Sequence, residues 1–245
     1  VAKKTNSATK EIITPKLSEK INFKQRPFKF SEKQKTFLEL ALSDKAKIIF
    51  LAGPAGTSKT YMSVYAAINL LAKELNSKEI IYVRSIAESA EKGLGSLPGE
   101  ADHKFEPFVT PLWEKIDEMV QEADAVWLKK SELLSAKPIN YLRGASWADK
   151  LIVADEAQNF SYKELVTLIT RIGENSKMFV CGDFMQSDIK SSGFRQMFNL
   201  FNDEISKENG IFCYEFDNND IYRSGILKFI VIKLQQLQQD KEKGQ

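Results

Sequence analysis

Two stretches carry residue types able to do chemistry together. The first is Gly53, Pro54, Ala55, Gly56, Thr57, Ser58, Lys59 and Thr60, which follows the apolar run Ile48–Leu51 and opens a helical pattern. Strand, glycine loop and helix in that order make a phosphate-binding loop. The glycines let successive backbone N–H groups converge on one anion, and the helix N-terminus adds its positive end. Lys59 is then placed for the β and γ phosphates, and Thr60 for Mg²⁺. The second stretch is Asp155-Glu156, which closes the apolar run Leu151–Ala154. Asp155 is expected to hold the metal through water, opposite Thr60. Glu156 is expected to orient or deprotonate an attacking water. An acid pair at this place favours hydrolysis over transfer to an acceptor hydroxyl. Ser58 stands where the loop pattern usually has glycine. It requires backbone angles that suit a residue with a Cβ, and it leaves the strength of nucleotide binding open.

Other residues join this set by position. Gln34 lies three residues after the capping Ser31, on the helix before the first strand. Its amide can pair with the adenine N6 donor and N7 acceptor; a helix-surface glutamine is the alternative. Arg171 ends the helix expected over 161–172. It could bind substrate or reach across a subunit boundary as an arginine finger; a cation favourably placed at a helix C-terminus is the alternative. Gln186 follows the strand and turn at 177–183, where its amide could sense a γ-phosphate, with Asp183 holding a water or positioning that loop. Arg223, at the start of the last helix, is a second arginine for phosphate. Arg84 ends a strand, at the edge where ligands of α/β sheets gather.

Composition narrows the classes. The chain has 245 residues, 43% of them hydrophobic, enough for one sizeable α/β domain. A net charge of +2 is too mild to argue for nucleic acid by itself. Cys181 and Cys213 sit in apolar contexts without paired spacing, which suggests a reducing, cytoplasmic setting and no disulfide or zinc framework. One histidine, His103, gives weak support to a histidine metal site or a Ser-His-Asp triad. No apolar run approaches transmembrane length, so no membrane partner is expected.

The loop and the acid pair must share one edge of a sheet. Strands are expected near 48–51, 80–84, 151–154, 177–183 and 211–217. Helices are expected over 31–43, 60–75, 112–121, 161–172, 194–200 and from 226 on. The fold class is therefore α/β: a P-loop NTPase with a mostly parallel sheet and helices on both faces. Residues 1–27 read as a polar arm, 28–235 as the ATPase domain and 236–245 as a polar tail. Residues 85–112, rich in Gly and Pro, read as a long loop, and 202–210 as another. Trp127, Tyr141 and Trp147 could stack bases, but packing against the sheet is the better reading.

Taken together, GPAGTSKT at 53–60, Arg84 with Glu88, Glu91 and LGSLPG at 94–99, YLRG at 141–144, DEAQN at 155–159, TRIGENSKM at 170–178, GDFMQSDI at 182–189 and DIYRS at 220–224 resemble the phosphate-starvation-inducible PhoH-like P-loop ATPases, in a compact form such as phage genomes carry. The resemblance spans roughly residues 27–235. It implies a core similar to the ATPase half of superfamily-1 helicases, ATP with Mg²⁺ as ligands, RNA-related roles, and ring-shaped homo-oligomers such as a hexamer. It casts Gln34 as adenine reader, Gln186 as γ-phosphate sensor and Arg223 as the arginine that completes an ATP site. Arg84 would then lie nearer the substrate or subunit side. Ser58 and Ser85 depart from the family's glycine and proline.

The function expected is an ATPase coupled to binding or remodelling of single-stranded nucleic acid, RNA or DNA, with RNA favoured. A nucleotide-gated assembly with slow turnover is the alternative. A phosphotransferase is weaker, because no arginine-rich lid is evident. The chain is too short for a second full helicase lobe, so processive unwinding by a monomer is not expected.

Overall fold

The computed structural model describes residues 23–73, 79–85, 101–131, 133–139, 142, 146–187, 189, 191–222 and 225–243. Six strands form one sheet: β1 Ile48–Ala52, β2 Glu79–Arg84, β3 Leu134–Pro138, β4 Lys150–Asp155, β5 Lys177–Gly182 and β6 Ile211–Glu215. Their order is β3-β2-β4-β5-β1-β6, and every pairing is parallel. The apolar runs of β1, β4 and β5 are buried on both faces, as a covered parallel sheet requires.

The helices are α1 Glu32–Leu42, α2 Lys59–Lys73, α3 Ala101–Met119, α4 Glu122–Lys130, α5 Tyr162–Ile169, α6 Phe194–Leu200, α7 Glu204–Glu208 and α8 Gly225–Lys243. Alternation along β1 divides the core. Ile49 and Leu51 pack with α1, α2, α3 and α4 on one face, while Ile48, Phe50 and Ala52 pack with α5 and α6 on the other. Ser31 and Ser161 cap α1 and α5 through full capping boxes with Gln34 and Glu164, as their spacing predicts.

Register aligns the strand ends. Ala52 lies beside Gly182, and Arg84 beside Asp155. The loop after β1 and the acids after β4 therefore emerge at one sheet edge, on either side of β5.

Several expectations are corrected. The segment read as a loop to residue 112 is helical from Ala101, with Pro107 and Pro111 inside α3. Proline weakens a helix interior by about 3 kcal/mol. The fully buried Leu112, Ile116 and Met119 on the same helix each return about 1.5–3 kcal/mol, so packing prevails. Helix α4 and strand β3 occupy a stretch where the sequence showed only scattered apolar residues, and α7 interrupts the expected loop at 202–210. Trp147 is core and Trp127 packs on Phe23, ring centroids 6.1 Å apart; Tyr141 lies outside the described residues.

Residues 23–27, within the stretch read as an arm, pair with the end of α3. Gln25 bridges Val120 in antiparallel fashion, and the Arg26 N–H donates to the Met119 carbonyl at 2.7 Å. Helix α8 continues through the expected tail as far as Lys243.

Candidate functional site

The phosphate loop and the acid pair meet in a cleft of about 490 Å³ at the C-terminal edge of the sheet. Ala55, Gly56, Ser58, Lys59 and Thr60 form one wall; Arg84, Asp155, Glu156, Asp183 and Gln186 face them. Gly56 turns at φ +83°, and a Cβ there would come within 2.8 Å of Leu227 Cδ2 on α8. The positive φ is what favours glycine here, since the end of the Leu227 side chain can move aside.

Ser58 does not find relaxed angles. It stands at φ +63°, in the left-handed region that disfavours a residue with a Cβ. The strain lies in the loop itself, one residue before Lys59. Glu156 shares this conformation at φ +53°.

Thr60 Oγ1 donates to Asp155 Oδ1 at 2.7 Å, and the buried Tyr82 hydroxyl donates to Asp155 Oδ2 at 2.6 Å. These bonds aim the carboxylate at the first turn of α2. Burial pushes the Tyr82 phenol well above its ordinary pKa, and the Asp155 charge adds to the shift, so it acts as a fixed donor. The Lys59 ammonium folds back on the loop, donating to the Gly53 carbonyl at 2.7 Å and the Pro54 carbonyl at 3.1 Å. Burial lowers its pKa, against the pull of the nearby Asp183 and Glu156 carboxylates.

Glu156 sits between Gln158 Nε2, which donates to its Oε2, and the Arg84 guanidinium, 3.8 Å from its Oε1. Burial raises its pKa and the Asp155 charge adds to this, while the Gln158 bond and Arg84 oppose it. Arg84 therefore lines the cleft beside Glu156.

Gln34 is 1% exposed, which removes the surface-glutamine alternative. Its Oε1 accepts from the Ser31 N–H at 3.0 Å, and its Nε2 donates to the Thr57 carbonyl at 3.2 Å. The amide supports the phosphate loop from beneath. Arg171 follows α5 at the opposite, N-terminal edge of the sheet, where its carbonyl accepts from Trp147 N at 2.9 Å. The fold does not bring it to the cleft of its own chain. Arg223, Glu88, Glu91, residues 94–99 and Arg143-Gly144 lie outside the described residues.

The profile of the family described as "PhoH-like protein" matches residues 29–235. The chain belongs to that family. It is 30% identical over 192 residues to a PhoH-like protein of Bacillus subtilis, covering 78% of this chain and 59% of the relative. A PhoH-like protein of Synechocystis is 32% identical over 192 residues, covering 76% and 56%. The chain thus spans a little over half the length of these curated relatives. Among solved structures, the Pif1 helicase from Candida albicans is matched at a TM-score of 0.38 and 17% identity, over 78% of this chain and 40% of that one.

In this PhoH-like chain, sequence reasoning passed over four contributors. Tyr82 looked like one more apolar strand residue; its register beside Val153, two residues before Asp155, is what turns its hydroxyl to the acid. Phe28 and Tyr222 line the cleft and stack on each other with centroids 4.5 Å apart, Phe28 also stacking on Tyr61 at 4.5 Å. Phe28 and Tyr222 are nearly 200 positions apart, so no local pattern pairs them. Gln158 lies in DEAQN beside its partner Glu156, but its second partner, the Asp183 N–H, lies on another loop.

Proposed function

We propose that this PhoH-like chain binds ATP with Mg²⁺ and hydrolyses it to ADP and phosphate. As a homo-oligomer it couples that cycle to binding or remodelling of single-stranded nucleic acid, RNA before DNA. The observation that carries the reading is the pairing of Thr60 Oγ1 with Asp155 Oδ1 at 2.7 Å, with Glu156 the next residue. Two hard oxygen donors side by side at a helix N-terminus fit Mg²⁺, which keeps waters and phosphate oxygens and needs no all-protein cage. When bound there, Mg²⁺ would neutralise charge developing on the phosphates.

This chain's residues supply the rest. The backbone N–H groups of 53–60 cradle the phosphates. Lys59 exchanges the Gly53 and Pro54 carbonyls for phosphate oxygens, a stronger, charge-assisted partner. Glu156 accepts a hydrogen bond from the attacking water and orients it. Gln186 lines the same cleft and is placed to report the γ-phosphate. Gln34 holds the loop, and base recognition through its amide requires it to release Ser31 or Thr57. Arg171 and Arg223 are the arginines for an ATP site; Arg171, from the far edge of the sheet, acts on a neighbouring subunit.

The oligomer and the nucleic acid rest on the family resemblance. Among the described residues no helix is long and apolar enough to cross a membrane. Cys181 and Cys213 are free thiols, in keeping with a cytoplasmic setting.

Steady-state ATP hydrolysis with and without single-stranded RNA and DNA, with Glu156→Gln as the blank, tests the reading. Stimulation by one strand supports the coupled ATPase. Ser58 at φ +63° favours one second reading, a nucleotide-gated assembly with slow turnover. Basal hydrolysis indifferent to either strand, with ATP-dependent oligomerisation, selects it.

A further inference from the structure

Glu156 and Gln186 follow different strands, yet one side chain joins them. Gln158 lies in the short 3-10 turn Ala157–Asn159 and is 4% exposed. Its Nε2 donates to Glu156 Oε2, and its Oε1 accepts the Asp183 N–H at 3.0 Å. Its own carbonyl lies 3.1 Å from Ser187 Oγ and shares that hydroxyl's hydrogen with the Ile189 carbonyl at 2.9 Å. Asp183 Oδ1 in turn accepts the Met185 N–H at 2.8 Å. Segment 183–187 therefore hangs from residue 158 at both ends, with Gln186 between the two anchors.

An amide holds two such partners at once, its donor on the carboxylate and its acceptor on the main chain. Leaving the buried Asp183 N–H without its acceptor is unfavourable, so the Gln158 side chain is held in place from the loop side as well.

We propose that Gln158 is a positioning residue for hydrolysis. It fixes the Glu156 carboxylate and the Gln186 loop as one unit, so that the group orienting the water and the group facing the phosphate move together. This rests on the reading of the cleft as an ATP-hydrolysing site. Gln158 touches neither water nor phosphate itself; its effect is exerted through Glu156 and through the loop.

The test uses the full chain with Mg²⁺ and ATP. Four variants are compared with wild type: Gln158→Ala, Gln158→Glu, Gln186→Ala and the double Gln158→Ala/Gln186→Ala. Gln158→Glu keeps the shape and the acceptor for the Asp183 N–H but sets a second carboxylate against Glu156 in place of the donor. Readouts are kcat, KM, affinity for a non-hydrolysable ATP analogue, and thermal unfolding. Both Gln158 variants are expected to lose about 10–100-fold in kcat with KM and analogue affinity within about threefold. The double variant is expected to be no more than about twofold slower than the slower single, because the two residues act as one unit. Near wild-type kcat, a raised KM at constant kcat, or losses that multiply in the double variant overturn the proposal. Should Gln158→Ala fail to fold, Gln158→Met, which fills the same space with neither hydrogen bond and no charge, decides in its place. Absence of turnover in the wild type overturns the hydrolysis reading and this inference with it. Wild-type turnover that survives in Gln158→Glu overturns the inference alone.

Discussion

Thr60 Oγ1 donates to Asp155 Oδ1 at 2.7 Å across 95 positions of sequence. The bond joins the first turn of α2 to the end of β4 and closes the floor of the cleft. Asp155 is held from its other oxygen by Tyr82. Removing that support by Tyr82→Phe should destabilise the fold by about 1–2 kcal/mol, since a buried carboxylate oxygen loses its partner. Urea unfolding measures the loss; an unchanged midpoint would mean that water replaces the phenol.

Lys59→Ala and Glu156→Gln should separate binding from chemistry. Lys59→Ala should abolish turnover and weaken the affinity for ATP. Glu156→Gln should keep ATP binding and lose about 10²–10⁴-fold in hydrolysis, the range of a positioned general base. Equilibrium binding of a fluorescent ATP analogue beside phosphate release gives both numbers. Loss of binding in Glu156→Gln would make that residue structural.

Ser58→Gly should relieve the left-handed strain. Stability should rise by about 1 kcal/mol. Turnover should rise with it if loop strain limits the phosphate cradle. Chemical denaturation and kcat are measured on the same protein. A stability gain without a rate gain would separate the strain from catalysis.

Gln34→Ala should remove the capping-box partner of Ser31 and the bond to the Thr57 carbonyl. A loss of about 1–2 kcal/mol is expected, with ATP and GTP affected alike. A selective loss of ATP over GTP in competition binding would instead give Gln34 the base-reading role.

Arg171→Ala should slow turnover only through a neighbouring subunit, because its own cleft lies at the other sheet edge. Mixing it with Lys59→Ala should restore part of the activity, since hybrid interfaces then pair one intact loop with one intact arginine. No rescue in verified mixed oligomers would reject the trans role.

Local chemistry was legible in the sequence. Ser31-x-x-Gln34 and Ser161-x-x-Glu164 announce capped helix starts, and both form as read, because a capping box needs only residues within one turn. The runs Ile48–Leu51 and Leu151–Ala154 announce buried strands, and the acids and glycines at their ends fall on one edge because parallel strands all point the same way. From these the sequence determined the α/β sheet, the phosphate loop and the acid pair. Tertiary structure alone decided the rest. Whether α3 survives two prolines depends on what Leu112 and Ile116 pack against, which no window of the chain contains. The αL angle of Ser58 follows from the turn the loop must make, not from serine's own preference. The sequence offered Gln34 a nucleotide base or a place on the surface; burial removes the surface place and sets its amide against the Thr57 carbonyl. Hydrogen bonds between distant loops, such as Gln158 with Asp183, arise only once strand order has placed β4 beside β5.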